Sequence, residues 1–272
     1  FKQKTAYEIK ECDWSSDVCS SDLDYGTWEV VSDYGPVWRP NVAIGWSPYR
    51  HGHWVWITPW GWTWIDDAPW GFAPFHYGRW VHLHGNWCWT PGPRVAMPYY
   101  APALVGWVGG FSVGVSLGAP PVAWFPLGWN EVYVPSYRSS RNYVENVNVT
   151  NIHVTNVVVN QYYDRARSDR NDRARENPRE FRNYGVNGAV VATTRSAFAA
   201  GQPVNAHPAD LPRVDRPRID HLAPDVAPVP GNVGRPAAIM PRQDIFNRPV
   251  MGTGPAPTGR MDGNRQIGRA HV

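Results

Sequence analysis

After Lys10 the chain contains no lysine, and arginine carries all of its fixed positive side-chain charge. The three lysines (Lys2, Lys4, Lys10) and two of the three cysteines (Cys12, Cys19) crowd into one N-terminal stretch, FKQKTAYEIKECDWSSDVCSSDL, whose composition the rest does not share. Phe1–Leu23 reads as translated sequencing-adapter sequence of the kind found in metagenomic genes, and Gln266–Val272 (QIGRAHV) as its counterpart; both are set aside from fold reasoning. Phe1–Leu23 has no run of 7 apolar residues, so it lacks a signal-peptide core. Only Cys88 then remains. An internal disulfide is excluded, and cysteine usage carries no information about redox compartment.

Branched aliphatics are also scarce. Between Tyr25 and Pro93 the only leucines and isoleucines are Ile44, Ile57, Ile65 and Leu83. Charge is nearly balanced, with a net of +3 over the full sequence, too mild for an electrostatic footprint on nucleic acid. Motifs of catalysis are missing as well: no phosphate-cradling loop, no Cys/His nucleophile arrangement and no paired carboxylates stand out. Gly110-Phe-Ser112-Val-Gly114 spells a nucleophile elbow, but that device needs a helix after the serine, and Pro120 and Pro121 follow instead. No enzymatic activity is expected.

What is abundant is tryptophan. Of 16 in the chain, 12 lie between Trp28 and Trp89, interleaved with Gly, Pro, Tyr and His. The stretch GWSPYRHGHWVW (Gly45 to Trp56) returns as GFAPFHYGRWVH (Gly71 to His82), so that Gly45, Pro48, Gly52, Trp54 and Val55 recur 26 positions later. Each copy closes on a tryptophan pair, Trp62 and Trp64 or Trp87 and Trp89. The spacing predicts a duplicated β-unit, with paired indoles at i and i+2 on one strand face and turns at His51-Gly52, Trp60-Gly61, Tyr77-Gly78 and His84-Gly85. Two roles suit such rings. Exposed, Trp54, Trp56, Trp62, Trp64, Trp80, Trp87 and Trp89 make an aromatic platform for stacking on saccharides; buried, they supply the core that the missing aliphatics do not. Core packing is the main expectation, with a minority of rings left as platform. His51, His53, His76, His82, His84 and Cys88 form the only metal-like constellation, but their spacing fits no closed zinc pattern. They read as hairpin histidines; no metal and no cofactor are expected.

Along the chain, 24–135 reads as a mainly β domain of antiparallel hairpin repeats forming a small sheet or barrel-like unit. Its uncharged stretch between Arg94 and Glu131 has glycines at every fourth position, as membrane helices do, yet Phe111 to Leu117 alternates with period two, favouring a strand over a transmembrane span. Residues 136–160, rich in alternating Asn and Val, predict two short strands; 161–187 a charged linker or helix; 188–203 a short strand and turn. The Pro/Arg-rich 204–265 shows scarcely any apolar periodicity and is expected to be disordered.

The runs YGTWEVVSDYGPVWRP, GWSPYRHGHWVWITPWGWTWIDDAPWGFAPFHYGRWVHLHGNWCWTPGP and WFPLGWNEVYVPSY resemble the bacterial family known as domain of unknown function 6600. The resemblance covers roughly Tyr25 to Asn160. It implies an exported or envelope-associated protein, periplasmic or secreted, with its signal peptide lost at the junction after Leu23, and it implies no defined catalytic residues. The functional expectation is therefore a non-enzymatic, extracytoplasmic structural or interaction module of the bacterial cell envelope. The alternative is a glycan- or peptidoglycan-binding module using exposed Trp and Tyr rings. Partners expected on either reading are envelope polysaccharide or envelope proteins, and not nucleic acid.

Overall fold

Each copy of the tryptophan repeat folds into one antiparallel hairpin. In the computed structural model, which describes residues 25–91, 99–109, 120–149, 156–167, 178–206, 208 and 218–234, the first copy forms β3 (Gly52–Ile57) and β4 (Gly61–Asp66). The second forms a short helix, α1 (Phe72–His76), then β5 (Arg79–Leu83) and β6 (Asn86–Thr90). Gly52 and Gly78 start the two hairpins, and both have positive φ (159° and 65°). A Cβ at Gly52 would lie 2.2 Å from the Ile65 carbonyl oxygen, and one at Gly78 2.2 Å from that of Thr90, so each copy needs glycine where its first strand crosses its second. Neither His51-Gly52 nor Tyr77-Gly78 is a hairpin turn. The β5–β6 turn is His84-Gly85, both with φ above zero (48° and 81°), the primed geometry that suits two-residue hairpins.

The two hairpins enter different sheets. β5 and β6 continue through β2 (Gly35–Pro40) to β1 (Gly26–Val31) in the order β1-β2-β6-β5, joined where Trp38 faces Trp89. β3 and β4 take β11 (Val233–Gly234) as a parallel neighbour of β3. A third sheet, β10-β7-β8-β9, combines β7 (Val105–Gly109) and β8 (Val122–Pro126) with β9 (Val191–Thr193) and β10 (Arg218–Asp220). Among the described residues the architecture is thus mainly β in three sheets, without a closed barrel.

Tryptophan builds much of the core where the sequence has few leucines and isoleucines to do so. The largest buried cluster contains Trp38, Trp54, Trp62, Trp64, Trp70, Trp80, Trp87, Trp89, Trp107 and Trp124. Facing indoles pair edge to face, Trp54 with Trp64 at 5.4 Å and Trp56 with Trp62 at 5.5 Å between ring centroids. Such pairs add about 0.5–1.5 kcal/mol each beyond the area they bury. The two repeat copies meet at equivalent residues: the rings of Tyr49 and Phe75, 26 positions apart, are 4.8 Å apart and nearly perpendicular. The Tyr49 hydroxyl donates to the Phe75 carbonyl at 2.8 Å and accepts from the Leu104 amide at 3.1 Å.

The described residues of 136–160, namely 136–149 and 156–160, do not form the expected strands. Helix α2 spans Arg141–Val149 and α3 spans Asn156–Arg167. The Asn/Val alternation has period two in letters, but Val144, Val147 and Asn148 fall at i, i+3 and i+4 and are all buried on one helical face. Asn148 then satisfies its amide against the Tyr133 and Val144 carbonyls, at 2.7 and 2.8 Å, which a surface strand would not offer. Within 188–203 lie β9 and helix α4 (Arg195–Ala200), capped by Thr194 Oγ1 accepting the Ala197 amide and by left-handed Gly201. The expectation of disorder across 204–265 is overturned for 218–234: Ile219 is fully buried, Val226 nearly so, and β10 and β11 each complete a sheet. These few apolar residues are too sparse to show periodicity, but Ile219 and Val226 each pack into a buried cluster formed with residues distant in the chain. No helix among the described residues is long and apolar enough to cross a membrane. Phe111–Leu117, Ser112 and both terminal segments lie outside the described residues.

Candidate functional site

The seven rings singled out as a platform do share strand faces, but those faces point inward. Trp54, Trp62, Trp64, Trp80, Trp87 and Trp89 are all buried, and only Trp56 is half-exposed. Six of the seven are therefore core residues, a correction to any platform that includes them. The indole N–H groups of Trp64, Trp89 and Trp62 are bonded, to Asp66 Oδ2 (3.0 Å), the Tyr77 carbonyl (2.9 Å) and the Val226 carbonyl (3.2 Å). Those of Trp54 and Trp80, equivalent positions of the two copies, are buried and make no hydrogen bond to the described residues.

A small cleft of about 20 Å³, room for roughly one water molecule, is lined by Trp60, Trp62, Trp107, Tyr133, Tyr137 and His221. Of these only Trp62 was among the residues singled out from sequence. Trp60 comes from the β3–β4 turn, Trp107 from β7, Tyr133 and Tyr137 from the segment before α2, and His221 from the tail. The Tyr143 hydroxyl donates to the Tyr100 carbonyl at 2.5 Å, so its single proton is committed and Tyr137 donates to Tyr143 across 2.5 Å. Burial raises the pKa of Tyr133, Tyr137 and Tyr143, keeping all three phenols neutral. His221 packs edge-on against Tyr162. The cavity is thus aromatic and uncharged in its tyrosines, with room for about a single water and not for a stacked ring.

Charged chemistry lies deeper and is committed to holding the fold. Arg79 is buried, and its guanidinium donates to the Glu131 carbonyl (3.2 Å), the Gly78 carbonyl (2.9 Å) and Asn148 Oδ1 (3.0 Å). Burial lowers its pKa to about 10, still well above neutrality. The Glu131 carboxylate accepts from the Gly128 and Arg182 amides (2.6 and 2.7 Å), and desolvation raises it to about 7. Asp66, also raised to about 7 by burial, accepts from Trp64 and from the Ala68 amide. The histidines scatter: His82 and His84 are exposed, His51 and His53 half-buried, and His76 is buried with Nδ1 2.8 Å from the Ala101 carbonyl oxygen, its pKa lowered by desolvation to about 4. Among the described residues no three His, Cys, Asp or Glu side chains converge as metal ligands. Cys88 is buried, and burial pushes its thiol up to about 11.

Residues 20–131 match the model of a family of unknown function, DUF6600. This stretch is a DUF6600 domain. Neither a curated protein nor a solved structure matches the chain. The DUF6600 stretch does not close its own core here: β9, β10 and β11, all beyond residue 131, complete two of the three sheets, and Phe198 packs on Trp62 at 4.3 Å.

Proposed function

We propose that the chain is a non-enzymatic structural or interaction module of the bacterial cell envelope, working outside the cytoplasm. The observation that carries this reading is the placement of the tryptophans: six of the seven candidate platform rings hold the sheets together and are not offered to a ligand. The buried arginine, glutamate and asparagine likewise bond to backbone and serve the fold. The envelope location is supported by the resemblance of the tryptophan-rich runs to their family. A second reading, glycan binding, is favoured by Trp56 and Trp60, two indoles of the repeat region that remain half-exposed.

One experiment separates them. Full-length chain is incubated with peptidoglycan and envelope polysaccharides and followed by co-sedimentation and tryptophan fluorescence. On the structural reading no saccharide shifts the emission, while envelope proteins co-purify. A shift abolished by Trp60→Ala in a protein that still unfolds cooperatively would replace it with the glycan reading.

A further inference from the structure

The segment 218–234 lies on the body as a bound peptide does. At one end β10 adds to β7, with Ile219 facing Val108; at the other, β11 adds to β3, with Val233 facing Trp56. Between them the stretch carries Pro224, Pro228 and Pro230, and the body reads its backbone. Trp62 Nε1 donates to the Val226 carbonyl at 3.2 Å, and Arg195 donates to the Asp225 carbonyl. Ser136 Oγ accepts the Ala223 amide at 2.6 Å, and the Ala199 carbonyl accepts the Val229 amide at 3.0 Å. Asn232 is the anchor: buried, it donates from Nδ2 to the Trp54 and Ala199 carbonyls, both at 3.1 Å. It fits beneath Gly201, where a Cβ would come within 2.4 Å of its side chain.

Strand addition at both ends, carbonyl-directed donors from Trp and Arg, and a proline-stiffened middle are the physics by which grooves take extended peptides. We infer that this groove is an extended-peptide site, filled in cis by the chain's own 218–234 and able to take the same segment from a second copy in trans. The contacts are the same in both arrangements, so exchanging an identical element between copies requires no new chemistry. This rests on the interaction-module reading and names its partner.

The test uses full-length chain and a fluorescein-labelled synthetic peptide of residues 218–234, with fluorescence anisotropy as readout. The tethered segment competes at a millimolar-scale effective concentration, so the wild-type chain binds the peptide weakly. Asn232→Ala in the chain loosens the cis seat, and the labelled wild-type peptide then binds at least about tenfold more tightly. A milder variant, Val229→Pro, suits the φ of −71° at that position and deletes the amide that Ala199 accepts while exchanging an exposed valine side chain for the proline ring; it shifts binding the same way by a smaller factor. Near-UV circular dichroism verifies that each variant is folded. If folded variants bind no more peptide than wild type, or bind a scrambled peptide equally well, the groove is merely a packed tail and the inference fails. Saccharides and envelope proteins are absent from this assay, so its failure leaves the proposed envelope role standing, and the converse.

Discussion

Replacing Trp64 by alanine is the sharpest test of whether the tryptophan ladder is core. Trp64 is fully buried. Its ring contacts Trp54 (5.4 Å), Tyr49 (5.7 Å), Phe75 (6.3 Å) and Trp124 (6.3 Å), and its Nε1 is one of two donors to Asp66. Truncating a core tryptophan costs about 3–5 kcal/mol in lost transfer energy and cavity formation. Loss of the donor leaves Asp66 one hydrogen bond short, adding about 1 kcal/mol. Against a total stability of roughly 5–15 kcal/mol, a loss of about 4–6 either unfolds the chain or moves its urea midpoint by about 2 M, taking a slope near 2–3 kcal/mol/M. Half-exposed Trp60, whose ring contact is to Tyr100 at 4.9 Å, makes the internal control. Trp60→Ala should cost about 1 kcal/mol, within the range of ordinary substitutions. Urea titrations monitored by far-UV circular dichroism measure both without relying on the fluorophore removed. A Trp64→Ala protein within about 1 kcal/mol of wild type would refute the core assignment.

Arg79→Met removes donors from the Glu131 and Gly78 carbonyls and from Asn148 Oδ1; breaking one partner of such a buried network costs about 3–5 kcal/mol, read as a fall in urea midpoint with the same slope. Gly78→Ala introduces both a positive-φ penalty and a Cβ 2.2 Å from the Thr90 carbonyl oxygen, so it should destabilise by more than about 2 kcal/mol, whereas Gly231→Ala, with open space around it, should be near neutral in thermal melts. Asp66 titrates near pH 7 when folded but near 3.8 when unfolded, so between those values the folded state keeps a proton that the unfolded state releases. Its contribution is therefore full below about pH 4 and is lost as pH rises through 7, on the order of 4 kcal/mol at 1.36 kcal/mol per unit. The stability of Asp66→Asn relative to wild type should rise across that window in urea titrations at pH 4 to 8; a difference independent of pH would contradict the buried, protonated carboxyl. Folded-state titration of His76 near 4 acts with the opposite sign, which is why the difference between variant and parent is the quantity to follow.

Much of the local structure was legible because its signals are short-range. Gly, Pro and paired tryptophans at i and i+2 mark the β3–β4 and β5–β6 hairpins, and His84-Gly85 supplies their clearest turn. Where two periods agree with the same letters, local reading failed: Asn146 to Val149 alternates as a strand does, yet Val144, Val147 and Asn148 also fit a helical face, and that face is buried against partners far away in the chain, such as Arg79, which donates to Asn148 from 69 positions upstream. The cleft was not legible at all, since Trp60, Trp107, Tyr137 and His221 come from four separate parts of the chain and share no motif.

Composition and repetition alone determined that tryptophan would supply much of the core, because leucine and isoleucine are scarce in this β region and tryptophan is its most abundant large apolar side chain. They also set the 26-residue unit and its hairpins. Tertiary structure decided which way each indole face turns, that the two copies enter different sheets, and that residues 218–234 of the proline-rich tail join two of those sheets. The physical reason is common to all three: burial and backbone pairing depend on surfaces supplied by residues distant in the chain, as when Asn232 bonds the Trp54 carbonyl across 178 positions.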